Sequence, residues 1–345
     1  MPIACRRTER FQPRSGRPAT PRGAALLSAL LTVSLVATLA SAGLWRQWQA
    51  IEVERVERER AQAAWMLRGA VDWARLILRE DARATRIDHP GEPWAVPLQE
   101  ARLGSFLAAE GGAVQADAAV ADAFLSGQIV DLQSRLNVGN LIDQGVPSPA
   151  AVRAFERLFT QLGLPVGELE TLVQRLQQAS QATLPGSADA AQAPLMPQHE
   201  SQLGWLGLSE TTLRALLPHV CVLPARTPLN LNTASAVVLR AAIGGLSAAE
   251  AQRLVAIRTH APWRSVDEAL LAWPGAARGA DTSTDRALLA VGSRYFRIEA
   301  SLRQATHTLR EETRVIRDNE QVRVIDRRRS GLPDQADRAE FYRGP

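Results

Sequence analysis

Polar and apolar residues follow two different rhythms along the first quarter of the chain. Ala24 to Leu44 is a run of 21 residues with no charge and no proline. As a helix at about 1.5 Å per residue it is long enough to cross a hydrocarbon core of about 30 Å. Beyond it, apolar residues recur at Trp48, Ile51, Val56, Ala63/Ala64, Leu67, Val71, Ala74 and Leu78, a roughly helical spacing. Glu54 and Arg58 stand four apart with the acid on the favourable side. No proline falls between Arg22 and His89. The pattern predicts one helix from Ala24 to about Arg79, on the order of 80 Å long, apolar all round in its first third and amphipathic after it.

Further along, His89-Pro90-Gly91-Glu92-Pro93 predicts a stop and a loop, and Leu98 to Glu110 a short helix ended by Gly111-Gly112. Ser126-Gly127 leads into Gln128 to Val138, whose alternation predicts a half-buried strand, or a hairpin turning near Gln133 to Arg135. From Ser148-Pro149 the period becomes helical to about Leu162, with Val152, Phe155, Leu158, Phe159 and Leu162 on one face. A second helix is expected over roughly Glu168 to Ala179, a loop over Leu184 to Gln202 with His199 as a solvated residue, and a capped helix from Ser209. Ser293 to Leu302 alternates as a strand, and Leu309 to Ile316 and Val322 to Ile325 flank a turn at Asp318-Asn319-Glu320. Arg327-Arg328-Arg329 through Pro345 reads as a frayed, solvated end.

Charge decides how the first segment is read. Arg6, Arg7, Arg10, Arg14, Arg17 and Arg22 precede the apolar run against one acid, Glu9, so the N-terminal side is expected in the cytoplasm. Trp45, Arg46 and Trp48 suit the headgroup layer at the exit. Three readings fit: a plain anchor, a Sec signal peptide cut after Ala40-Ser41-Ala42, or a basic leader ending at Gly23 with the apolar helix retained. The helical pattern running unbroken past Ala42 favours retention of the helix. With six arginines and one glutamate removed, the net charge of +4 falls to about −1, so no strong phosphate-binding field is indicated. All 40 basic residues are arginine.

Candidate chemistry is sparse. His89, His199, His219, His260 and His307 are scattered, and no Ser-His-Asp, metal or paired-carboxylate constellation forms around them. Cys5 and Cys221 fall on opposite sides of the proposed cleavage, which leaves Cys221 a lone and buried thiol in Val220-Cys221-Val222-Leu223. Leu229-Asn230-Leu231-Asn232-Thr233-Ala234-Ser235 is followed by Ile243-Gly244-Gly245-Leu246-Ser247. Thr233 or Ser235 can cap one helix and Ser247 the next, an arrangement that resembles the helix-hairpin-helix of competence-type DNA-binding modules. The hairpin departs from their Gly-hydrophobic-Gly and has few arginines near it, so packing is the preferred reading and nucleic acid is not an expected partner. A membrane-anchored periplasmic DNA-binding protein is the alternative.

Four stretches carry a wider resemblance: Arg22-Gly23-Ala24 with its apolar run, Arg68-Gly69-Ala70-Val71-Asp72-Trp73-Ala74, Gly127 to Asp131 through Arg135-Leu136-Asn137, and Leu229 to Ala234. In this order and spacing they resemble the minor pseudopilins called general secretion pathway protein K of bacterial type II secretion. The resemblance implies an α+β fold. A long N-terminal transmembrane and stalk helix leads to a pilin-like head, whose antiparallel sheet is interrupted by a large all-helical insertion.

The expected divisions are a leader over 1–23, the stalk over 24–80, the head over 81–145 and 286–329, the insertion over 146–285, and a flexible tail over 330–345. The resemblance further implies a non-enzymatic tip subunit of the pseudopilus, cut by prepilin peptidase between Gly23 and Ala24 and N-methylated on Ala24. It would be held in the inner membrane by one span with its head in the periplasm. Other minor pseudopilins are the implied partners, with the outer-membrane secretin or exported substrates as further contacts. Counting from Ala24, the fifth residue is Ser28, where most pilins carry glutamate; proteins of this type resemble one another in lacking it. Calcium held by acidic loops has been associated with such family members. Gln174-Arg175-Leu176-Gln177-Gln178 stands where an acidic segment is frequent, and no ligand is assigned.

Overall fold

The computed structural model describes residues 22–104, 123–182, 192–273, 285–304 and 307–333. Helix α1 runs from Arg22 to Ala84. The chain divides into two compact units, Met1–Gln62 and Ala63–Pro345. In the first, every described residue from Ala24 to Ile51 is exposed, including Leu26, Leu30, Val33 and Leu39. This part of α1 has the length and hydropathy to cross a membrane. Glu54–Arg58 at 3.0 Å and Arg55–Glu59 at 3.2 Å follow on its polar turns. Both pairs are exposed and contribute a few tenths of a kcal/mol each, on the order of 0.3–0.5.

The second unit begins with the amphipathic part of α1. Ala63, Leu67, Val71, Ala74 and Leu78 are all buried, spaced four, four, three and four apart, so a single stripe faces inward. That stripe covers an antiparallel five-stranded sheet whose spatial order is its chain order: β1 (Leu98–Arg102), β2 (Phe124–Asp131), β3 (Tyr295–Gln304), β4 (His307–Asp318) and β5 (Gln321–Pro333). Val71, Ala74 and Leu78 meet Trp94, Phe296, Ile298, Val315 and Val322. Ala63 and Leu67 meet Leu103, Leu125, Ala300 and Leu302. Helix and sheet are thus one two-layer core.

Between β2 and β3 the chain leaves the sheet for more than 160 residues and builds a second core. Helix α2 (Pro149–Leu162) starts on Pro149 and ends on Gly163, whose φ of 66° closes the turn. Its Ala151, Ala154, Phe155, Leu158 and Phe159 are buried, with Val152 and Leu162 packed at the margin. Helix α3 (Val166–Ala182) and α4 (Glu210–Leu216, capped by Ser209) follow. Then come α5 (Ala236–Ala242), α6 (Ala248–His260) and α7 (Val266–Leu271). Ser235 caps α5, and Ser247 with Glu250 forms a reciprocal capping box on α6. Gly245 between them sits at φ 77°. The insertion also contains two-residue strand pairs, Leu136–Asn137 with Val220–Cys221 and Leu229–Asn230 with Leu289–Ala290.

Several expectations are corrected. Leu98 to Arg102 is a strand, not the start of a helix, because it pairs with β2 across a bulge; Gly111-Gly112 lies outside the described residues. Strand β2 passes through Ser126-Gly127 rather than starting after it. At Gly127 a Cβ would lie 2.8 Å from the Glu299 carbonyl oxygen, so only glycine lets β2 approach β3 there. The turn at Leu132–Ser134 exists, but no hairpin follows, since the strand next to β2 is the distant β3. A 3-10 helix, Glu200–Leu206, begins in the last residues of the segment expected to be loop and runs past its end. Its N-cap is His199, whose Nε2 lies 3.3 Å from Glu200, so this histidine is not a solvated residue. Arg327 and Arg329 are not frayed: they lie in β5 and pair at 3.0 and 2.5 Å with Glu311, which is buried. The hairpin at Asp318-Asn319-Glu320 forms as expected, Asn319 taking φ 54°.

Gly127→Ala is expected to lower the stability of this unit by about 1–3 kcal/mol, because backbone on β3 must move to admit the methyl. Urea unfolding followed by tryptophan fluorescence measures it.

Candidate functional site

Two places carry the residues singled out by the sequence. The first is the start of α1. Gly23 and Ala24 are within the helix, one and two residues after its first residue Arg22. The Ser28 hydroxyl donates to the Ala25 carbonyl at 2.9 Å, and Thr32 and Thr38 do the same to Ala29 and Leu35. Each hydroxyl is satisfied by its own helix. The run from Ala24 to Leu44 therefore presents no charge, and these three hydroxyls need no outside partner.

The second is a buried polar node in the Ala63–Pro345 unit. Arg317, near the end of β4, lies between two acids. Its guanidinium donates to Asp81 Oδ2 at 2.9 Å, to both oxygens of Asp88 at 2.6 Å, and to the Ser293 carbonyl at 2.9 Å. It also stacks 4.7 Å from the centroid of the Phe296 ring. Asp88 accepts the Ser293 amide at 2.7 Å. Asp131, at the end of β2, accepts the Gln133 amide at 2.8 Å, Thr233 Oγ1 at 2.5 Å and Ser293 Oγ at 2.7 Å.

Asn230 bridges the two acids. Its Nδ2 lies 3.1 Å from the Asp88 carbonyl, 3.1 Å from Asp131 Oδ2 and 2.9 Å from Ser293 Oγ, while its Oδ1 accepts the Asn232 amide at 2.9 Å. Asn232 in turn holds both backbone groups of Trp263 at 3.0 Å. Gln133 extends the chain, accepting the Arg294 amide at 2.7 Å and donating to the Pro228 carbonyl at 2.9 Å. The end of α1, the loop after it, the ends of β2 and β4, and the Leu229–Thr233 segment of the insertion all meet here.

Burial pushes the Asp131 carboxyl up to about 6, against the hydroxyls of Thr233 and Ser293 that hold it down. Asp81 is pushed to about 6 by burial, then by the charges of Glu92 and Asp88, with Arg317 opposing. Burial also raises Asp88, again against Arg317.

Asp81, Asp88 and Glu92 bring oxygens within 4.8 Å of one another, which raises the question of calcium. The arrangement does not fit a cation. Arg317 already bridges Asp81 and Asp88, and Glu92 is taken by Thr85 Oγ1, the His89 amide and Trp94 Nε1 at 3.0, 3.0 and 2.7 Å. Residues 174–178 lie within α3.

The other candidates resolve into structure. Cys221 is fully buried, and burial drives its thiol pKa far upward, which disfavours a reactive thiolate. Cys5 lies outside the described residues. Thr233 bonds to Asp131 instead of capping a helix. In the helix-hairpin-helix-like segment, the Arg258 guanidinium is buried and spent on the Leu231 and Ala234 carbonyls. No reading of the sequence pointed to Asp81, Asp88 or Arg317. They are up to 236 residues apart in the chain and lack any local motif.

Comparison with known proteins decides the family. Models of the type II secretion system (T2SS) protein K family match residues 134–225 and 229–291. The chain is 29% identical over 335 residues to type II secretion system protein K of Pseudomonas aeruginosa, covering 90% of this chain and 94% of that one. To the protein K of Klebsiella pneumoniae it is 30% identical over 301 residues, covering 80% and 86%.

The chain belongs to the type II secretion system protein K family. It is a minor pseudopilin. The fold agrees: the protein K-containing crystal structure of the GspK-GspI-GspJ complex from enterotoxigenic Escherichia coli matches with a TM-score of 0.62 at 21% identity. That match covers 80% of this chain and 98% of the other. The two family matches meet at the polar node, one ending just before Arg226 and the other opening on Leu229-Asn230. The helix-hairpin-helix-like segment falls inside the second match, and the periplasmic DNA-binding alternative gains no support.

Asn230→Ala is expected to cost about 1–3 kcal/mol, since it leaves the Asn232 amide and part of the Asp131 carboxylate unpaired in the interior. Chemical denaturation of the variant beside the parent checks this.

Proposed function

We propose that this minor pseudopilin is the tip subunit of the type II secretion pseudopilus, acting as a structural part of protein export and catalysing nothing itself. The observation that carries the reading is the uncharged start of α1. Pilin-type subunits stack with the N-terminal amine of one near an acid of the next, deep in the apolar layer. Ser28 offers no carboxylate there, and its hydroxyl is turned onto Ala25. A subunit placed above this one would therefore find nothing to neutralise its buried amine, an expensive state in hydrocarbon. The large insertion between β2 and β3 supports the same terminal place, since a head of that bulk suits the end of a filament.

The basic segment before Gly23 supports a cytoplasmic N-terminus, one span in the inner membrane and a head in the periplasm. On this reading the leader over 1–23 is removed by prepilin peptidase between Gly23 and Ala24, and Ala24 is N-methylated. The relative of known structure was solved with GspI and GspJ. We take the corresponding minor pseudopilins as partners of this chain through α1 and the head, with the secretin or exported proteins as contacts at the free end. The remaining divisions follow as 24–80 for the stalk, 81–145 and 286–329 for the head, and 146–285 for the insertion.

Mass spectrometry of the membrane-extracted protein, from cells with and without prepilin peptidase, tests the reading. The expected mature terminus is N-methylated Ala24, present only where the peptidase is. A terminus at Gly43 would mean a cleaved signal peptide, and an unprocessed Met1 in both strains a plain anchor; either result overturns the proposal.

A further inference from the structure

Strand β5 is the long open edge of the sheet. Its 13 residues pair with β4 on one side, and among the described residues no strand pairs with the other. The opposite edge, β1, is five residues long and carries a bulge. In an antiparallel strand alternate residues turn both N–H and C=O outward, so an open edge is a template for one more strand. One outward carbonyl is already taken. Arg75 of α1 donates to the Val322 carbonyl from Nε at 3.0 Å and from Nη2 at 2.6 Å. Beside this stretch, α1 and the start of β5 flank an open cleft of about 730 Å³, lined by Arg75, Leu76, Arg79, Glu320, Val322 and Arg323. Leu76 is exposed on α1, and Val324 and Ile325 are exposed on β5.

Charge decides what can lie against this edge. β5 carries Arg323, Arg327, Arg328 and Arg329 against one acid, Asp326. The carboxylates around it do not make up the difference. Asp326 takes Arg328, buried Glu311 is shared by Arg327 and Arg329, and Asp318 is shared by Arg294 and Arg323. On α1, Arg68 precedes Arg75 by about two turns and so lies on the same side of the helix. Among the described residues no carboxylate pairs with Arg68. Its guanidinium sits 4.6 Å from the centroid of the exposed Trp65 ring, and its Nε is shielded from solvent without a hydrogen-bond partner. Two copies of an edge with this surplus of one sign repel each other, so the occupant is not a second copy of this chain. The edge is complementary to a strand that brings acids.

We infer that the β5 edge is a docking site for an extended, acid-bearing segment of a neighbouring minor pseudopilin, which adds to the sheet as a sixth strand. The outward backbone groups of β5 supply the ladder, and the side chains alternating along the added strand supply the selectivity. Acids on that strand meet Arg327, Arg329 and Arg68. Apolar residues between them cover Val324, Ile325 and Leu76. The stacked Trp65 and Arg68 are of the residue types that concentrate binding energy once a partner excludes water from them. Naming the neighbour as a minor pseudopilin rests on the pseudopilus reading; the open edge and its charge do not.

Hydrogen exchange on the full chain in detergent, alone and co-purified with its counterparts of GspI and GspJ, tests the site. The outward amides within residues 323–329 should gain protection of about tenfold or more in the complex, while those of β1 stay unchanged. Arg68→Glu and Ile325→Asp each place a negative charge where the incoming acids would lie. Each should weaken the complex by about tenfold, with a larger effect at low salt, and leave the circular dichroism of the free chain as in the parent. The exchange readout needs no variant, so a substitution that fails to fold does not spoil the test. A complex in which residues 323–329 exchange as they do in the free chain overturns the docking site and leaves the pseudopilus reading standing. Protection that rises with the concentration of this chain alone would assign the edge to a second copy and also overturn it. If no complex forms with either counterpart, both readings fall.

Discussion

Arg317 is the residue on which the rest of the head depends. Its guanidinium reaches Asp81 at the end of α1, Asp88 in the loop that follows, and the Ser293 carbonyl where the chain re-enters the sheet. Ser293 and Asn230 then pass the connection to Asp131 at the end of β2. A buried charge without a partner costs several kcal/mol, of order 3–5 when one member of a pair is removed. The arrangement is therefore specific in a way that apolar packing is not. Leucines can slide against one another, whereas this set of donors and acceptors closes in one geometry only.

That specificity answers a topological problem. Two cores have to be joined: the layer of α1 on the sheet, and the helical insertion that begins after β2 and returns before β3. The crossing points at Asp131 and Ser293 are adjacent in space, and the Leu229–Asn230 strand pairs with Leu289–Ala290 beside them. A second buried pair, Arg314 with Glu200, fastens another part of the insertion to β4, with Arg314 also donating to the Val222 carbonyl at 3.1 Å. Arg314 and Arg317 of β4 thus carry charge into the joint, while Val315 packs against α1 and Ile316 against Leu132, Cys221 and Tyr295. The membrane-compatible start of α1 obeys the opposite rule, offering no charge at all from Ala24 to Leu44.

Much of this was legible in the sequence where the cause is local. The stripe Leu67, Val71, Ala74 and Leu78, the caps at Ser235 and Ser247, the Asn319 turn and the burial of Cys221 follow from spacing or from a single residue's conformational preference. Leu98–Arg102 was misread because five residues with little period acquire their strand only from β2. Arg327 to Arg329 looked like a solvated end because Glu311, which neutralises two of them, lies across a strand pairing. Asp131, Asn137 and Asn230 stood out as a family pattern, but their role could not be read. An Asn side chain that ties off backbone groups 86 to 88 residues away, as Asn137 does with Leu223 and Ala225, leaves no periodic trace.

The Arg317 ion pair, and not apolar contact alone, holds the joint. A double-mutant cycle with Asp88→Asn and Arg317→Met, read by denaturant unfolding, tests it most directly. Each single change should destabilise by about 3 kcal/mol or more. The double variant should recover a coupling of about 1.5–3 kcal/mol, because neither charge is then left buried alone. Additivity to within about 0.5 kcal/mol would instead assign the joint to packing.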